Sequence, residues 1–279
     1  MSEPTDSPNT RPIDTGTQQL LCHIEDGVGV VTFNRPEARN ALSDILTPAL
    51  RRIMPELAAM PEVGCILLTG AGQAFCAGGD VKSMNAGPPV EQTTEQKIAT
   101  LRHKQATLTA MIYELQKPVI AVLPGPAAGA GLSIALACDI RIAAERAFIS
   151  TAFRNIGLSG DYGGSWFLTQ LVGTAKAREL YYTADRVSAR ECERLGIVNR
   201  VVADDELHAE ALALAKRIAA GPPIAIGYMK ENLNRAVSQD LRTCLDMEAD
   251  RLIRVQQTED FREAVRAFVD KRPPTFRGR

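Results

Sequence analysis

The sequence predicts a mixed α/β fold with parallel strand pairings, and three observations support this class. Short apolar segments rich in β-branched residues alternate with segments of helical periodicity through residues 17–203. Two loops of small residues, 75–80 and 127–131, each follow such an apolar segment. The pattern over 204–279 is almost wholly helical. We therefore predict a disordered polar tail over 1–16, an α/β core over 17–203 and a helical C-terminal region over 204–279.

The boundaries of the core elements come from turn and capping residues. Asp26-Gly27 is a turn pair typical of two-residue hairpins, and Ser43 is a good helix cap. The predicted core elements, in order, are strands over 20–25 and 28–33, a helix over 43–59, a strand over 63–69, a helix over 94–116, a strand over 118–124, a helix over 132–138 and a strand over 139–143. Residues 85–91 are polar and include two prolines, which predicts a loop there.

The C-terminal region contains four predicted helices, over 204–220, 223–238, 240–256 and 258–271. Such a helical appendage on an α/β core often docks against a neighbouring subunit. Packing against its own core is an equally open interpretation.

Composition excludes several classes of protein. The 279 residues carry a net charge of −1, whereas a dedicated nucleic-acid binder has a strong basic excess. No apolar run approaches the roughly 20 residues that span a bilayer, and the first residues lack the apolar core of a signal peptide. The six cysteines include no CxxC pair, and the three histidines are scattered. We expect a cytoplasmic protein with reduced thiols, no bound metal, no membrane contact and no nucleic-acid partner.

The two small-residue loops are the first candidates for chemistry. Each one precedes a predicted helix, and the first N–H groups of a helix have no partner within it. Two such groups converging on one carbonyl oxygen form an oxyanion hole, which stabilises an enolate or a tetrahedral intermediate. Close packing of helix against strand explains small residues equally well. The chain has no GxxxxGK[ST], GxGxxG or GxSxG motif, so phosphate-loop, dinucleotide and serine-hydrolase sites are not indicated.

Five spaced motifs resemble those of the crotonase superfamily, the enoyl-CoA hydratase/isomerase group. The resemblance extends from about Gln19 to the C-terminus, and the motifs occupy residues 34–42, 74–82, 124–131, 137–142 and 156–158. It implies a spiral of ββα units with a C-terminal helical oligomerisation region. It also implies an acyl-CoA thioester as substrate without a further cofactor, and a homotrimer or a dimer of trimers.

The resemblance assigns roles to individual residues. The oxyanion hole falls on the backbone N–H groups of Ala77 and Ala130. The remaining residues expected to contact the acyl-CoA are Ala38, Arg39, Ala41, Gly78, Gly79, Asp80, Val81, Gly131, Ser133, Phe153, Phe268 and Lys271. For Lys271 a solvated helix end is equally open, and Asp80 is also a good cap for a helix after the first loop.

The reaction depends on which acidic groups are present. Hydratases of this superfamily use two glutamates, and their positions carry Ser133 and Phe153 here. Neither side chain can replace a glutamate as a base at neutral pH. Asp161, in the context Gly-Leu-x-x-Asp-x-Gly-Gly-x-Trp, matches the single acid of phenylacetate-degradation-type isomerases. We therefore predict an enoyl-CoA isomerase with Asp161 as its acid and base.

Other interpretations remain open. Asp161 precedes Gly163-Gly164 and an apolar run, so it is also a good helix cap. The same position is a nucleophile in dehalogenases and hydrolases of the superfamily. A hydratase with a non-standard site, a CoA-ester-binding protein without chemistry, and RNA binding through residues 102–104 are further alternatives. The acyl pocket is expected to include Met84, residues 85–91, Phe153, Tyr162 and Trp166.

Overall fold

The computed structural model describes residues 10–80 and 92–279. Its strands, in chain order, are β1 Thr10–Pro12, β2 Leu20–Glu25, β3 Val28–Phe33, β4 Cys65–Gly70, β5 Val119–Leu123, β6 Ala127–Ala128, β7 Ile140–Ala144, β8 Phe148–Ser150, β9 Val187–Ser188 and β10 Arg200–Val202. Its α-helices are α1 Leu46–Ala59, α2 Thr94–Gln105, α3 Met111–Glu114, α4 Ala130–Ala137, α5 Gly164–Thr183, α6 Ala189–Arg194, α7 Leu207–Ala219, α8 Pro223–Ala236, α9 Leu241–Gln256 and α10 Glu259–Val269.

Seven strands form the main sheet in the order β1-β2-β3-β4-β5-β7-β10. The β1–β2–β3 end is antiparallel and every other pairing is parallel, as expected where helices connect the strands. The predicted hairpin is confirmed, because Asp26 and Gly27 both have positive φ (47° and 80°) in the β2–β3 turn. A second sheet, β6-β8-β9, lies beside the loops that form the site.

The prediction of a disordered tail over 1–16 is wrong for its last residues. Thr10–Pro12 form β1 and pair with β2, and the N–H of Ile13 donates to Cys22. The Thr15 hydroxyl donates to the Leu20 carbonyl. A polar composition predicts disorder, but the free edge of β2 supplies partners that composition does not reveal.

Apolar residues cover both faces of the main sheet. On one face α1 buries the side chains predicted to form its apolar stripe, Leu46, Leu50, Ile53 and Leu57, each with 0% exposure. On the other face α7 packs Leu207, Ala211 and Ala215 against the second set of strand residues, among them Val28, Val30 and Ile120. The parallel strands are therefore buried on both sides.

The long helix predicted over 94–116 is interrupted. It ends as α2 at Gln105, continues through a π turn over Ala106–Ala110 and resumes as α3. Ile98 and Leu101 belong to the predicted apolar stripe, yet they are 45% and 39% exposed. Only the end of this segment packs on the core, through Leu108 and Ile112. A π turn of this kind often marks a functional region.

The C-terminal helices α7 to α10 follow the predicted order, with ends within about three residues of those expected. Over residues 10–80 and 92–279, no helix combines the length and the apolar character needed to cross a membrane. In the same residues, no three His, Cys, Asp or Glu side chains cluster in a way that could hold a metal ion. The predicted loop 85–91 and Met84 lie outside the described residues.

Candidate active site

The two small-residue loops are held together by backbone hydrogen bonds. The first loop, residues 74–80, follows β4, and the second, residues 124–130, connects β5 to α4. The Pro126 carbonyl accepts from the N–H of Phe75 (3.0 Å), and the Cys76 carbonyl accepts from the N–H of Ala128 (2.9 Å). A Cβ at Gly78 would lie 2.9 Å from the Ala128 carbonyl oxygen, so only glycine allows this approach.

The motif over residues 34–42 supports the first loop from behind. The fully buried Asn40 side chain donates to the carbonyls of Ala71 (2.9 Å) and Ala74 (2.8 Å). The Arg35 guanidinium donates to the Asp80 carboxylate at 3.1 Å. Because Asn40 and Arg35 lie on one short segment, that segment fixes both ends of the loop.

Two N–H groups on the facing loops remain available to a ligand. No backbone or side-chain acceptor in residues 10–80 and 92–279 takes the N–H of Gly79 or that of Ala130. Ala130 is the first residue of α4, where the helix dipole adds positive potential. The N–H of Ala77, in contrast, donates to the Arg39 carbonyl at 3.0 Å. The prediction that Ala77 supplies a donor is therefore wrong, and Gly79 is the free donor of this loop.

Gly79 and Ala130, which carry these N–H groups, both line a cleft of about 700 Å³. Its walls come from the two loops, the first turns of α1, the C-terminal half of α2 and residues 152–162. The lining residues are Leu42, Ser43, Asp44, Thr47, Pro48, Arg51, Ala77, Gly78, Gly79, Asp80, Leu101, Lys104, Gly129, Ala130, Ala152, Phe153, Asn155, Ile156, Leu158, Asp161 and Tyr162.

Asp161 is the partly buried carboxyl group in this cleft. Its Oδ1 is buried and has no hydrogen-bond partner among the described residues. Burial alone raises the pKa of Asp161 to about 6, because the charged form is poorly solvated there. The alternative of a helix cap is not supported, since Gly163 occupies the cap position of α5 and no side chain caps it.

The two positions that carry glutamates in hydratases have structural roles. Ser133 is 1% exposed and lies behind the cleft, where its hydroxyl donates to the Asp161 carbonyl at 3.0 Å. Phe153 lines the cleft and stacks against Tyr181, with ring centroids 6.2 Å apart. Ser133 therefore holds the backbone of Asp161, and Phe153 contributes to the apolar surroundings of the cleft.

The other predicted residues divide into those near the cleft and those away from it. Gly78 and Asp80 line it, while Gly131 is buried behind Cys76. The segment over 38–41 borders the first loop but does not line the cleft. Phe268, which is 86% exposed, and Lys271 lie at the C-terminal end of the chain and do not reach it.

Two further predictions about the site have different outcomes. Val81 lies outside the described residues. Trp166 does not line this cleft as predicted, because it packs edge-on against Tyr113 and Phe167. Those contacts place Trp166 in a separate apolar groove between α5 and α8.

Sequence reasoning missed Arg51 and Lys104, which also line the cleft. In the helical pattern Arg51 is only the residue after buried Leu50. Lys104 is only part of a mildly basic turn. Their convergence depends on how α1 and α2 pack, so no local pattern could have revealed it.

The fold and the cleft define an α/β protein in which two unpaired backbone N–H groups and a desolvated carboxyl group belong to one cleft. The sequence profile described as Enoyl-CoA hydratase/isomerase matches residues 23–279. The chain belongs to the enoyl-CoA hydratase/isomerase family of enzymes, which confirms the crotonase resemblance.

Individual relatives carry names for different reactions. The chain is 36% identical to the 1,2-epoxyphenylacetyl-CoA isomerase of Escherichia coli K12, over 93% of this chain and 98% of the relative. It is also 36% identical to a short-chain-enoyl-CoA hydratase of Clostridium acetobutylicum, over 91% and 95%. The crystal structure of an enoyl-CoA hydratase from Bacillus anthracis superposes with a TM-score of 0.87 at 34% identity, covering 94% of this chain and 100% of that one. The predicted fold class is thus confirmed, while the reaction is not distinguished by similarity.

Proposed function

We propose that this enzyme is an enoyl-CoA isomerase in which Asp161 is the single acid and base. The observation that carries this proposal is the unpartnered, buried Oδ1 of Asp161 in the same cleft as the N–H groups of Gly79 and Ala130. The CoA thioester is the substrate, and no further cofactor takes part.

The proposed reaction moves one proton and one double bond. The ionised Asp161 removes a proton from C2 of a 3-enoyl thioester. The N–H groups of Gly79 and Ala130 stabilise the charge on the thioester oxygen of the resulting dienolate. The protonated Asp161 then returns the proton to C4, and the double bond lies between C2 and C3.

Water addition requires a second acid or base, and the described lining does not offer one in a suitable position. Asp80 accepts a hydrogen bond from Arg35, and the side chain of Asp44 is 97% exposed at the rim. Ser133 and Phe153 occupy the glutamate positions of hydratases. These observations favour isomerisation over hydration.

The test compares two carboxylates of the same cleft. Asp161→Asn should lower isomerisation of a 3-enoyl-CoA by about 10³-fold or more, because amide nitrogen cannot accept the proton. Binding of a saturated acyl-CoA should change little. Asp44→Asn, which removes a charge at the rim, is the matched control and should retain activity.

Wild-type turnover in Asp161→Asn would refute the assignment of Asp161. Fast hydration of crotonyl-CoA by the wild-type enzyme would favour the hydratase alternative. Release of free CoA from the thioester would instead indicate hydrolysis with Asp161 as nucleophile.

We also propose a homotrimer or a dimer of trimers, formed through the C-terminal helices. These helices leave large apolar side chains exposed, which is typical of a surface covered by another protein. The exposed residues include Leu233, Leu241, Leu245, Leu252, Ile253, Val265, Phe268 and Val269. In such an assembly Phe268 and Lys271 would contact the CoA bound to a neighbouring subunit.

A further inference from the structure

The cleft contains a guanidinium group whose hydrogen bonds are largely unmade. Arg51 has five N–H donors. Its only hydrogen bonds in the described structure run from Nη2 to the Tyr162 hydroxyl and to the Lys104 carbonyl, each at 3.4 Å. Its Nε is buried and has no partner. Buried donors are nearly always paired in folded proteins, so this one indicates a missing acceptor.

No carboxylate within residues 10–80 and 92–279 forms an ion pair with Arg51. The adjacent Arg52 differs, because it pairs with Glu56 at 2.9 Å on the solvent side of α1. Lys104, whose carbonyl accepts from Arg51, forms one ion pair among the described residues, with the exposed Asp44 at 3.8 Å. On the wall formed by α1 and α2, Arg51 is therefore a positive charge without a described ion-pair partner.

Arg51 lies on the second turn of α1 and lines the cleft beside Tyr162. Asp44, just before α1, has a fully solvated side chain at the rim. Leu42 donates to the Gly78 carbonyl, which places the start of this segment beside the first loop. Arg51 follows Leu46, the first residue of α1, by five positions, or roughly 8 Å along the helix axis. The thioester is expected at the loops, and α1 leads away from them toward Arg51, so the distal part of the acyl group is the part expected beside Arg51.

Tyr162 is fixed in the position that faces Arg51. Its backbone adopts a left-handed conformation with φ of 53°, which is unfavourable for an aromatic residue. The N–H of Tyr162 donates to the Gln105 side chain at 2.7 Å, and this bond from the end of α2 holds the strained residue. Tyr162 is 8% exposed, so its hydroxyl oxygen, which accepts from Arg51, is held in place by the surrounding residues.

We infer that the acyl group carries a carboxylate at its distal end, which binds Arg51. The substrate would then be the mono-CoA ester of an unsaturated dicarboxylic acid. This inference rests on the proposed function, because it assumes that the cleft holds an acyl-CoA. Arg51 determines specificity and takes no part in the proton transfer.

A binding experiment tests the inference without relying on turnover. Calorimetry would compare mono-CoA esters of dicarboxylic acids with fatty acyl-CoA esters of equal chain length, at six and eight carbons. The wild-type enzyme should bind the carboxylate-bearing ester about 10- to 100-fold more tightly at one of these lengths. Arg51→Met should abolish this preference, and Arg51→Lys should retain part of it.

Arg52→Met is the matched control, because it removes the same charge from the solvent side of the same helix. It should keep the wild-type preference. Melting curves establish whether each variant is folded. If Arg51→Met does not fold, comparison of Arg51→Lys with the wild-type enzyme still tests the inference. Equal affinity of the wild-type enzyme for both esters at both lengths, or no binding of either, would overturn the inference. Tighter binding of a terminal alcohol than of the carboxylate would also overturn it.

The same pair of ligands in unsaturated form separates this inference from the proposed function. The wild-type enzyme should isomerise the 3-hexenedioyl mono-CoA ester with a higher kcat/KM than 3-hexenoyl-CoA. If neither is isomerised while the Arg51-dependent binding preference holds, the isomerase proposal fails and the inference stands. If both are isomerised equally well and bound equally well, the inference fails and the isomerase proposal stands.

Discussion

Asp161 combines two properties that oppose each other in water. A carboxyl group that acts as a base must be ionised at neutral pH, which requires a pKa below 7. A strong base also needs a high pKa, and the pKa of an ordinary carboxyl group is low. Burial raises the pKa of Asp161 to about 6 without a neighbouring negative charge. At neutral pH the group is then mostly ionised and about two pKa units more basic than a solvated aspartate. Its unpartnered Oδ1 is the atom that desolvation leaves available for the substrate proton.

The raised pKa predicts the pH dependence of the reaction. Since the ionised form removes the proton, kcat/KM should rise about tenfold per pH unit below 6 and level off above 7. Initial rates of 3-enoyl-CoA isomerisation between pH 4.5 and 8 measure this. Asp44→Asn should give the same profile, because its carboxyl group is solvated. A rate that stays constant down to pH 4.5 would contradict a base with this pKa.

The two loops act as one element because they bond to each other and not only to their own strands. Gly131, at the start of α4, lies directly against Cys76 of the first loop. A Cβ at Gly131 would collide with the Cys76 carbonyl oxygen and would lie 2.7 Å from its Sγ. The distance between the N–H groups of Gly79 and Ala130 is therefore controlled by a residue that does not line the cleft.

Gly131→Ala should separate the loops and misplace both donors. A displacement of about 1 Å at a reacting group costs on the order of 100-fold in rate, so kcat/KM should fall by roughly that factor. Steady-state kinetics together with urea unfolding would measure the effect.

Gly196→Ala provides the comparison, because Gly196 has φ of 76° and nothing within 4 Å of an added Cβ. It should cost about 1 kcal/mol of stability through backbone strain alone and leave kcat/KM unchanged. Unchanged activity in Gly131→Ala would mean that the loops tolerate the added methyl group.

At the scale of the whole molecule, the C-terminal helices differ from the core in what they bury. Phe261, Val265 and Phe268 follow helical spacing on one face of α10 and are 38%, 50% and 86% exposed. Lys230 of α8, only 6% exposed, donates to Asp139 at 2.8 Å and attaches this region to the core. The region is thus anchored to its own chain while its outer apolar face has no intramolecular partner in the described residues.

Subunit association through this face is testable by mass. Light scattering during size-exclusion chromatography should give three or six times the 30.2 kDa of one chain. Val265→Glu should lower the mass, because a charge would be buried without a partner in the interface. Gln239→Glu adds the same charge at an exposed polar position and should leave the mass unchanged. A monomeric wild-type protein would refute the proposed trimer.

The sequence by itself determined the fold class, the region of the site, and most helix and strand ends before residue 144 and after residue 203; it gave no elements between those residues. These depend on local periodicity, on turn pairs such as Asp26-Gly27 and on motifs of small residues, all of which are readable along the chain. Asp161 could be selected from the motif because a hydratase's glutamates are replaced by Ser133 and Phe153.

Only the tertiary structure decided which atoms are free. The motif does not show whether the N–H of Ala77 or that of Gly79 is free. In the structure the Arg39 carbonyl accepts from the N–H of Ala77, and no described acceptor takes that of Gly79. Trp166 and Tyr162 are close in sequence, yet they face different cavities. Arg51 became a candidate through the absence of a described counterion, which depends on every element packed around it. Whether a polar atom is buried and has a hydrogen-bond partner depends on the residues around it in space. For these residues most of those neighbours are distant in the chain.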